Sequence, residues 1–224
     1  MRTLLLMIAA LALSACATAL PFAQVERTPM PSHDPAQVIA LYKAAIPDQE
    51  KLLSSVTFGF GPQAITGIGV LELDQSAGTF AVACLNPMGM KLFELAGDRT
   101  ATTTRFVLPM LERGPKGGFG TKIGEDIRRI YFDSVPSGAG WWSWWDDNEL
   151  TVNERTDGGI MKYVFAGAEG SLVEKAYFVN DDLRWRVLYF GPERKNGKII
   201  NRGVLLQNYQ YGYSLTVKVK EILD

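Results

Sequence analysis

The chain has 224 residues, 47% of them apolar and 21% charged, with 23 Lys and Arg against 24 Asp and Glu. That length fits one domain with a sizeable core, and a near-neutral balance without a basic block argues against nucleic acid as a partner. Two cysteines and one histidine leave little for a disulfide framework, a zinc site or nucleophilic catalysis, so an enzyme is not expected and no cofactor is implied.

The chain opens MRTLLLMIAALALSAC. Arg2 gives a short positive start, and Leu4 to Leu13 form an apolar run of ten residues. A membrane-spanning helix needs about 20 apolar residues, so this run reads as a secretory signal. It ends in Leu13-Ser14-Ala15-Cys16, which resembles the lipobox of bacterial lipoproteins, where the cysteine becomes the new amino terminus and carries acyl chains. The alternative is an ordinary signal with Cys16 incidental. On the lipobox reading residues 1–15 are removed, Cys16 is lipidated, and Ala17 in place of Asp directs the protein to the outer membrane. Each acyl CH₂ buried in lipid contributes about 0.8 kcal/mol to such an anchor. Loss of residues 1–15 removes Arg2 and no acid, leaving 22 basic against 24 acidic residues, a formal charge of −2. Cys84 then has no partner within the chain, and its place in FAVACL predicts a small buried hydrophobe.

Residues 16–33 read as the lipidated cysteine and a flexible tether, with Pro21, Pro29 and Pro31 and a solvated His33. Residues 34–224 read as the domain. Ser32 or Asp34 can cap a helix with Pro35 in its first turn. Val38, Ile39, Leu41, Tyr42 and Ile46 give its apolar stripe, which ends at Pro47.

From Val56 the period changes to two. VTFGFG, ITGIGVLEL, TFAVACL, MKLFEL and TTTRFVL read as short strands separated by turn residues. GPKGGFG lacks the spacing of a phosphate loop and reads as a mobile connection. In TKIGEDIRRIYFDSVP, residues Ile123, Ile127, Ile130 and Tyr131 recur at helical spacing, while Glu125, Asp126, Arg128 and Arg129 read as a solvated charged face. After Trp145 the two-residue period returns in LTVNE, IMKYVF, LVEKAYF, LRWRVLYF, IINRGVLLQ and SLTVKVKEI. LRWRVLY puts Leu183, Trp185, Val187 and Tyr189 on one face; SLTVKVK buries Leu215, Val217 and Val219 and leaves Thr216, Lys218 and Lys220 to water. Asp146, Asp147, Glu149 and Asp157 lack the spacing of a calcium loop and read as a solvated turn. The order is one helix, five strands, one helix and six strands. This predicts a mainly β fold with flanking helices, an antiparallel meander of about eleven strands that curls around the helices.

Two stretches resist this pattern. Asn86-Pro87-Met88-Gly89 is a turn with a large thioether at its tip, where water is the default neighbour. GWWSWWDDNE puts Trp141 and Trp145 on one side of an extended segment and Trp142 and Trp144 on the other. Such a segment is either sandwiched between sheet and lid or placed at a membrane interface.

FAVACLNPMGMKLFELAGD resembles the third and fourth strands of the LolB-type outer-membrane lipoprotein receptor, and more distantly those of its soluble partner LolA. An Asn-Pro-Leu-Gly or Ser-Pro-Leu-Gly turn joins those strands in that family. LRWRVLYFG is similar to the family's tryptophan-containing strand, and INRGVLLQNYQYGYSLTVKVKEI to its closing hairpin. The resemblance covers most of residues 34–224. It implies a half-open antiparallel barrel with a helical lid over an apolar cavity that holds the acyl chains of lipoproteins. It puts Met88 at the position of a leucine that assists insertion into the membrane, with Pro87 and Gly89 shaping that tip. A helical lid in such carriers can be latched by polar contacts. The implied partners are an acylated lipoprotein or lipid cargo, a LolA-like periplasmic carrier and the outer membrane. Aromatic and branched residues at inward strand positions suit the cavity wall: Phe93, Phe106, Trp185, Val187 and Tyr189, with Trp142 and Trp144 if their segment is sandwiched. GWWSWWDDNE departs from the family's pattern and leaves the cargo open between lipoprotein, free lipid and glycolipid. The competing reading is a structural or interaction lipoprotein of the envelope whose barrel is filled by its own side chains.

Overall fold

The computed structural model describes residues 20–112, 118–138 and 140–223. The signal, Cys16 and residues 114–117 of the glycine-rich run lie outside the described residues. The elements are α1 (Pro35–Ala45), β1 (Gln49–Phe60), β2 (Gln63–Asp74), β3 (Thr79–Leu85), β4 (Lys91–Asp98), β5 (Thr102–Val107), α2 (Phe119–Tyr131), β6 (Trp142–Asp146), β7 (Glu149–Thr156), β8 (Gly159–Ala166), β9 (Ser171–Val179), β10 (Asp182–Lys195), β11 (Lys198–Asn208) and β12 (Tyr213–Leu223). The strands form one sheet of twelve, in the order β5-β4-β3-β2-β1-β12-β11-β10-β9-β8-β7-β6. Every neighbouring pair is antiparallel. β1 and β12 join the two halves, with Val56 opposite Val217 and Phe58 opposite Leu215. β5 and β6 are the two edges, so the sheet curls without closing. The strand absent from the sequence count is β6: Trp142 pairs with Asn153 and Trp144 with Thr151.

Asp34 caps α1, its carboxylate accepting from the Ala36 N–H at 3.0 Å, and Pro35 occupies the first turn as expected. Val38 and Tyr42 are buried, Tyr42 edge-on to Phe165 at 5.5 Å, whereas Leu41 faces water.

α2 fills the concave side of the sheet. It begins two residues before the predicted TKIGED start and stops at Phe132, whose backbone is extended. Phe119, Ile123, Ile127 and Ile130 make its buried stripe. Phe119 meets Phe58 and Phe93 edge-on, both at 5.6 Å, so the first turn of α2 is wedged between β1 and β4. Glycine lets the helix lie directly on the edge strand. A Cβ on Gly120 would stand 2.4 Å from the Thr104 hydroxyl, and one on Gly124 2.0 Å from that of Thr102.

The last carbonyls of a helix lack helical partners. In α2 they are taken by side chains from three strands or strand ends: Tyr189 Oη donates to Ile130 O at 2.7 Å, Gln75 Nε2 to Tyr131 O at 2.8 Å, and Lys175 Nζ to Phe132 O at 2.7 Å. Arg128 reaches the carbonyls of Asp98 and Ala101, tying the same end to the β4–β5 turn. By contrast the N-terminus has no side-chain cap at Gly118.

Residues 20–33 are not a free tether. Phe22 lies on the outer face against Phe190 at 5.1 Å, and its ring occupies the space over Gly203 that a Cβ would take. Arg27 pairs with Glu149 at 2.9 Å, and Asn148 donates to the Arg27 carbonyl. Met30 is buried in the core, and His33 rests against the Trp145 ring at 5.3 Å.

Lys175 is fully enclosed, and burial pushes its amine down to about 7. The unfolded chain keeps that proton up to about 10.4, so between about pH 7 and 10 the unfolded state binds the extra proton and stability rises with pH. Urea midpoints of the wild type will climb between about pH 7 and 8.5, below the range where the buried Cys84 thiol begins to oppose the trend, and Lys175→Met will flatten the climb. A wild-type midpoint that does not move there would mean that the buried amine stays charged.

Candidate functional site

The interior beneath α2 is apolar. Phe93 lies opposite Cys84 and touches the first turn of α2. Trp185, Val187 and Tyr189 share the inward face of β10; all three are buried, and Trp185 stacks on Tyr177 at 5.9 Å. The other three expected lining residues face outward. Phe106 pairs with Glu94 on the outer face and is 38% exposed. A register shift between Glu94 and Leu95 sets the facing of Phe106 relative to the threonines before it. Trp142 and Trp144 follow the outward parity of Asn153 and Thr151, while Trp145, opposite the buried Leu150, turns inward onto the core.

Little empty space remains inside. A cavity of about 50 Å³ lies between the underside of α2 and the sheet, bordered by Val56, Phe58, Phe93, Ile123 and Ile127. One liquid water occupies about 30 Å³, so this void accepts a water or two and no acyl chain. α2 itself occupies the volume that a larger apolar guest would need.

One flank of α2 is polar and buried, which the sequence reading missed. Asp126 is fully enclosed; it accepts from Tyr213 Oη at 2.5 Å and from Arg129 at 2.8 Å, and Asn208 donates to the same tyrosine oxygen. Burial pushes its carboxyl up to about 6, against the pull of Arg129 and Tyr213. Asp126 stands three residues after Ile123 and four before Ile130, a spacing that already places it in the buried stripe. Glu125, by contrast, pairs with Lys122 and Arg129 nearer the surface. Lys122 also donates to Tyr211 Oη at 2.9 Å. The charged residues of α2 are therefore links to β12 and its approach, more than a solvated face.

At the far side of β3 and β4, the Asn86–Met90 turn projects Met88 with 87% of its surface exposed. The turn satisfies its own donors. Met88 N–H and Met90 N–H both donate to Asn86 Oδ1, at 3.0 and 2.9 Å; Gly89 N–H donates to Asn86 O and Asn86 N–H to Met90 O. Pro87 has no N–H, and Gly89 takes the left-handed conformation at φ 82°. No N–H in the turn depends on water.

Cys84 is fully buried, and burial pushes its thiol up to about 12. Among the described residues, no group of three or more His, Cys, Asp or Glu side chains is placed to hold a metal ion, and no helix is long and apolar enough to cross a membrane.

No family model matches the sequence, and no curated protein matches it. Solved structures do match the fold. A domain from Vibrio parahaemolyticus described as an outer-membrane lipoprotein-sorting protein superposes with a TM-score of 0.54 at 10% identity, over 84% of this chain and 90% of that one. A LolA superfamily protein from Nitrosomonas europaea superposes with a TM-score of 0.53 at 6% identity, over 85% and 93%. At these identities the likeness is one of architecture: an open antiparallel sheet wrapped around a helix. The chain shares its fold with these two proteins.

Proposed function

We propose that this chain is an envelope lipoprotein, anchored to the outer membrane through Cys16, that receives acyl chains beneath α2 and passes them to the membrane. The cargo is an acylated lipoprotein or lipid, handed over by a LolA-like periplasmic carrier. The observation that carries this reading is the seating of α2. An amphipathic helix covers an apolar interior, held at its C-terminus by side-chain donors and left without a cap at Gly118. Such a helix can swing about its fixed end and expose the inner face of the sheet. The tip supports delivery: a donor-satisfied turn with a bare Met88 can enter lipid without carrying unpaired N–H groups. Vibrio parahaemolyticus and Nitrosomonas europaea proteins with this fold, described in lipoprotein-sorting and LolA terms, agree with it.

The second reading is a barrel filled by its own helix that binds an envelope partner. The small void under α2 favours it. A fluorescent fatty-acyl probe separates the two, using the chain without residues 1–16, which keeps every described element. The wild type will bind saturably. Gly124→Val, which forces α2 off the Thr102 hydroxyl, will raise the apparent affinity severalfold, because the open state no longer has to be reached from a closed majority. Absence of probe binding by both proteins would leave the self-filled barrel as the better reading.

Delivery has its own test. Met88→Glu will leave probe binding unchanged and slow transfer of bound probe to liposomes. Asn86→Ala, which removes the acceptor of two tip N–H groups, will slow transfer too while Met88 remains in place. Equal transfer by all three proteins would remove the tip from the mechanism.

A further inference from the structure

The outer face of β2–β5 is not the polar surface that a solvated antiparallel sheet presents. Ile68 on β2 stands opposite Leu85 on β3, and both point outward; Ile68 is 50% exposed. Phe106 lies on the same face of β5. At one end of these strands Met88 and Met90 project from the β3–β4 turn. Leu108 N–H donates to Leu92 O, which brings the exposed Met110 alongside the start of β4. Six large apolar side chains are thus bared on one side of the molecule, well beyond the isolated exposed residues of an ordinary surface.

The border of this patch is basic. Lys91 and Arg105 share a single acid, Glu94, and Lys91 also stands over the Phe106 ring. Lys218 is opposite Ser55, which is opposite Ile68, and it makes no ion pair among the described residues. Three cations against one carboxylate stand beside the patch, on a chain with 23 basic and 24 acidic residues overall. Long cationic side chains around an apolar surface suit the headgroup level of a membrane.

The position of the amino-terminal strap points to the same occupant. Gly203, under the Phe22 ring, is opposite Lys218, so Gly203, Lys218, Ser55, Ile68 and Leu85 form one outward row across five adjacent strands. Strands lie about 4.8 Å apart, which makes that row about 19 Å long. From Cys16 to Phe22 the chain spans six residues and reaches at most about 20 Å when extended. A bilayer holding acyl chains on Cys16 is therefore close to one end of the row whose other end is the apolar patch.

We infer that the outer face of β2–β5 is a membrane-docking surface for anionic lipid: Ile68, Leu85 and Phe106 lie on the bilayer beside the Met88 tip, and Lys91, Arg105 and Lys218 meet acidic headgroups. This extends the tip of the proposed function into a whole face. It rests on that reading for the anchor at Cys16, and it does not require that the interior take cargo.

The test uses the chain without residues 1–16, so that no anchor contributes, in co-sedimentation with vesicles of phosphatidylcholine alone or mixed with phosphatidylglycerol. The wild type will adsorb more strongly to the mixed vesicles, and salt will weaken the difference. Phe106→Glu and Ile68→Glu will each lower adsorption roughly tenfold, the scale set by losing one buried apolar side chain. Lys218→Ala will lower it about fivefold on the mixed vesicles and leave neutral vesicles unchanged. Adsorption that Met88→Glu abolishes while both face variants behave as wild type would confine contact to the tip and overturn the proposal. Equal adsorption to both vesicle types would overturn its anionic part. No adsorption, with concentration-dependent self-association that Phe106→Glu breaks, would assign the face to a second copy. Acyl-probe binding, measured on the same proteins, reports the interior separately: its loss with adsorption intact removes the cargo and not the docking face.

Discussion

A curled sheet with two free edges cannot bury its own concave face, and α2 is what keeps water off it. The buried stripe of the helix, Phe119, Ile123, Ile127 and Ile130, lies against Phe58, Phe93 and the neighbouring strand residues. Burying a side chain of this size contributes about 1.5–3 kcal/mol, and such figures are upper values because the unfolded chain already hides part of its surface. A guest acyl chain offers the sheet about 0.8 kcal/mol for each CH₂ it buries there. A chain of ordinary fatty-acyl length therefore matches what the four side chains supply. Replacing the helix stripe by an acyl chain would exchange similar apolar surfaces, and an exchange of that kind would be reversible. A wide, permanently empty cavity would hold cargo no better and would leave the unloaded protein poorly packed.

The polar contacts decide how the exchange can proceed. Most of those that hold α2 gather at its C-terminal half, where Tyr189, Gln75, Lys175 and Arg128 meet backbone carbonyls and Asp126 meets Tyr213. At the other end the helix begins at an uncapped Gly118 and is held by Phe119, by the glycine seam on β5 and by one polar link, Lys122 to Tyr211. Packing of that kind is short-ranged and non-directional, whereas a buried hydrogen bond, once broken, strands both its partners. Rotation about the C-terminal end costs less than translation of the whole helix. Such a motion would open the interior next to the edge strand β5, on the half of the sheet that carries the Met88 tip.

How far the sequence determined this arrangement depends on whether alternation was unambiguous. In LRWRVLY the arginines mark the outer face and Trp185, Val187 and Tyr189 are buried, but a register shift between Leu183 and Trp185 takes Leu183 off the face expected for it. In TTTRFV neither face is apolar, and the facing of Phe106 turns on a register shift between β4 and β5 that no local pattern reveals. In WWSWW both faces carry tryptophan, so parity alone could not choose, and pairing with Asn153 and Thr151 settled it. The family-like turn placed Met88 in the open, while its self-contained donors emerge only from the geometry. The docking of Phe22 on Gly203 joins residues far apart in sequence, and composition alone made that segment look like a tether. Asp126 reads as a surface charge because charge is usually solvated, and nothing in LVEKAYF marks Lys175 as buried; each is held inside by partners brought from other elements.

The molecule thus carries two apolar surfaces with opposite treatment. The inner one is hidden behind a helix whose apolar contacts an acyl chain, on the proposed function, would replace. The outer one, from Ile68 to Met110, is left bare and bordered by cations. Water penalises both, and for a protein free in solution the outer patch would be a liability. If Cys16 holds the protein at a bilayer, as proposed, the patch would have a partner at hand. α2 lies on the opposite, concave side of β2–β5 and meets β5 through Gly120 and Gly124, so docking of the outer face and displacement of the helix would act on the same strands from opposite sides.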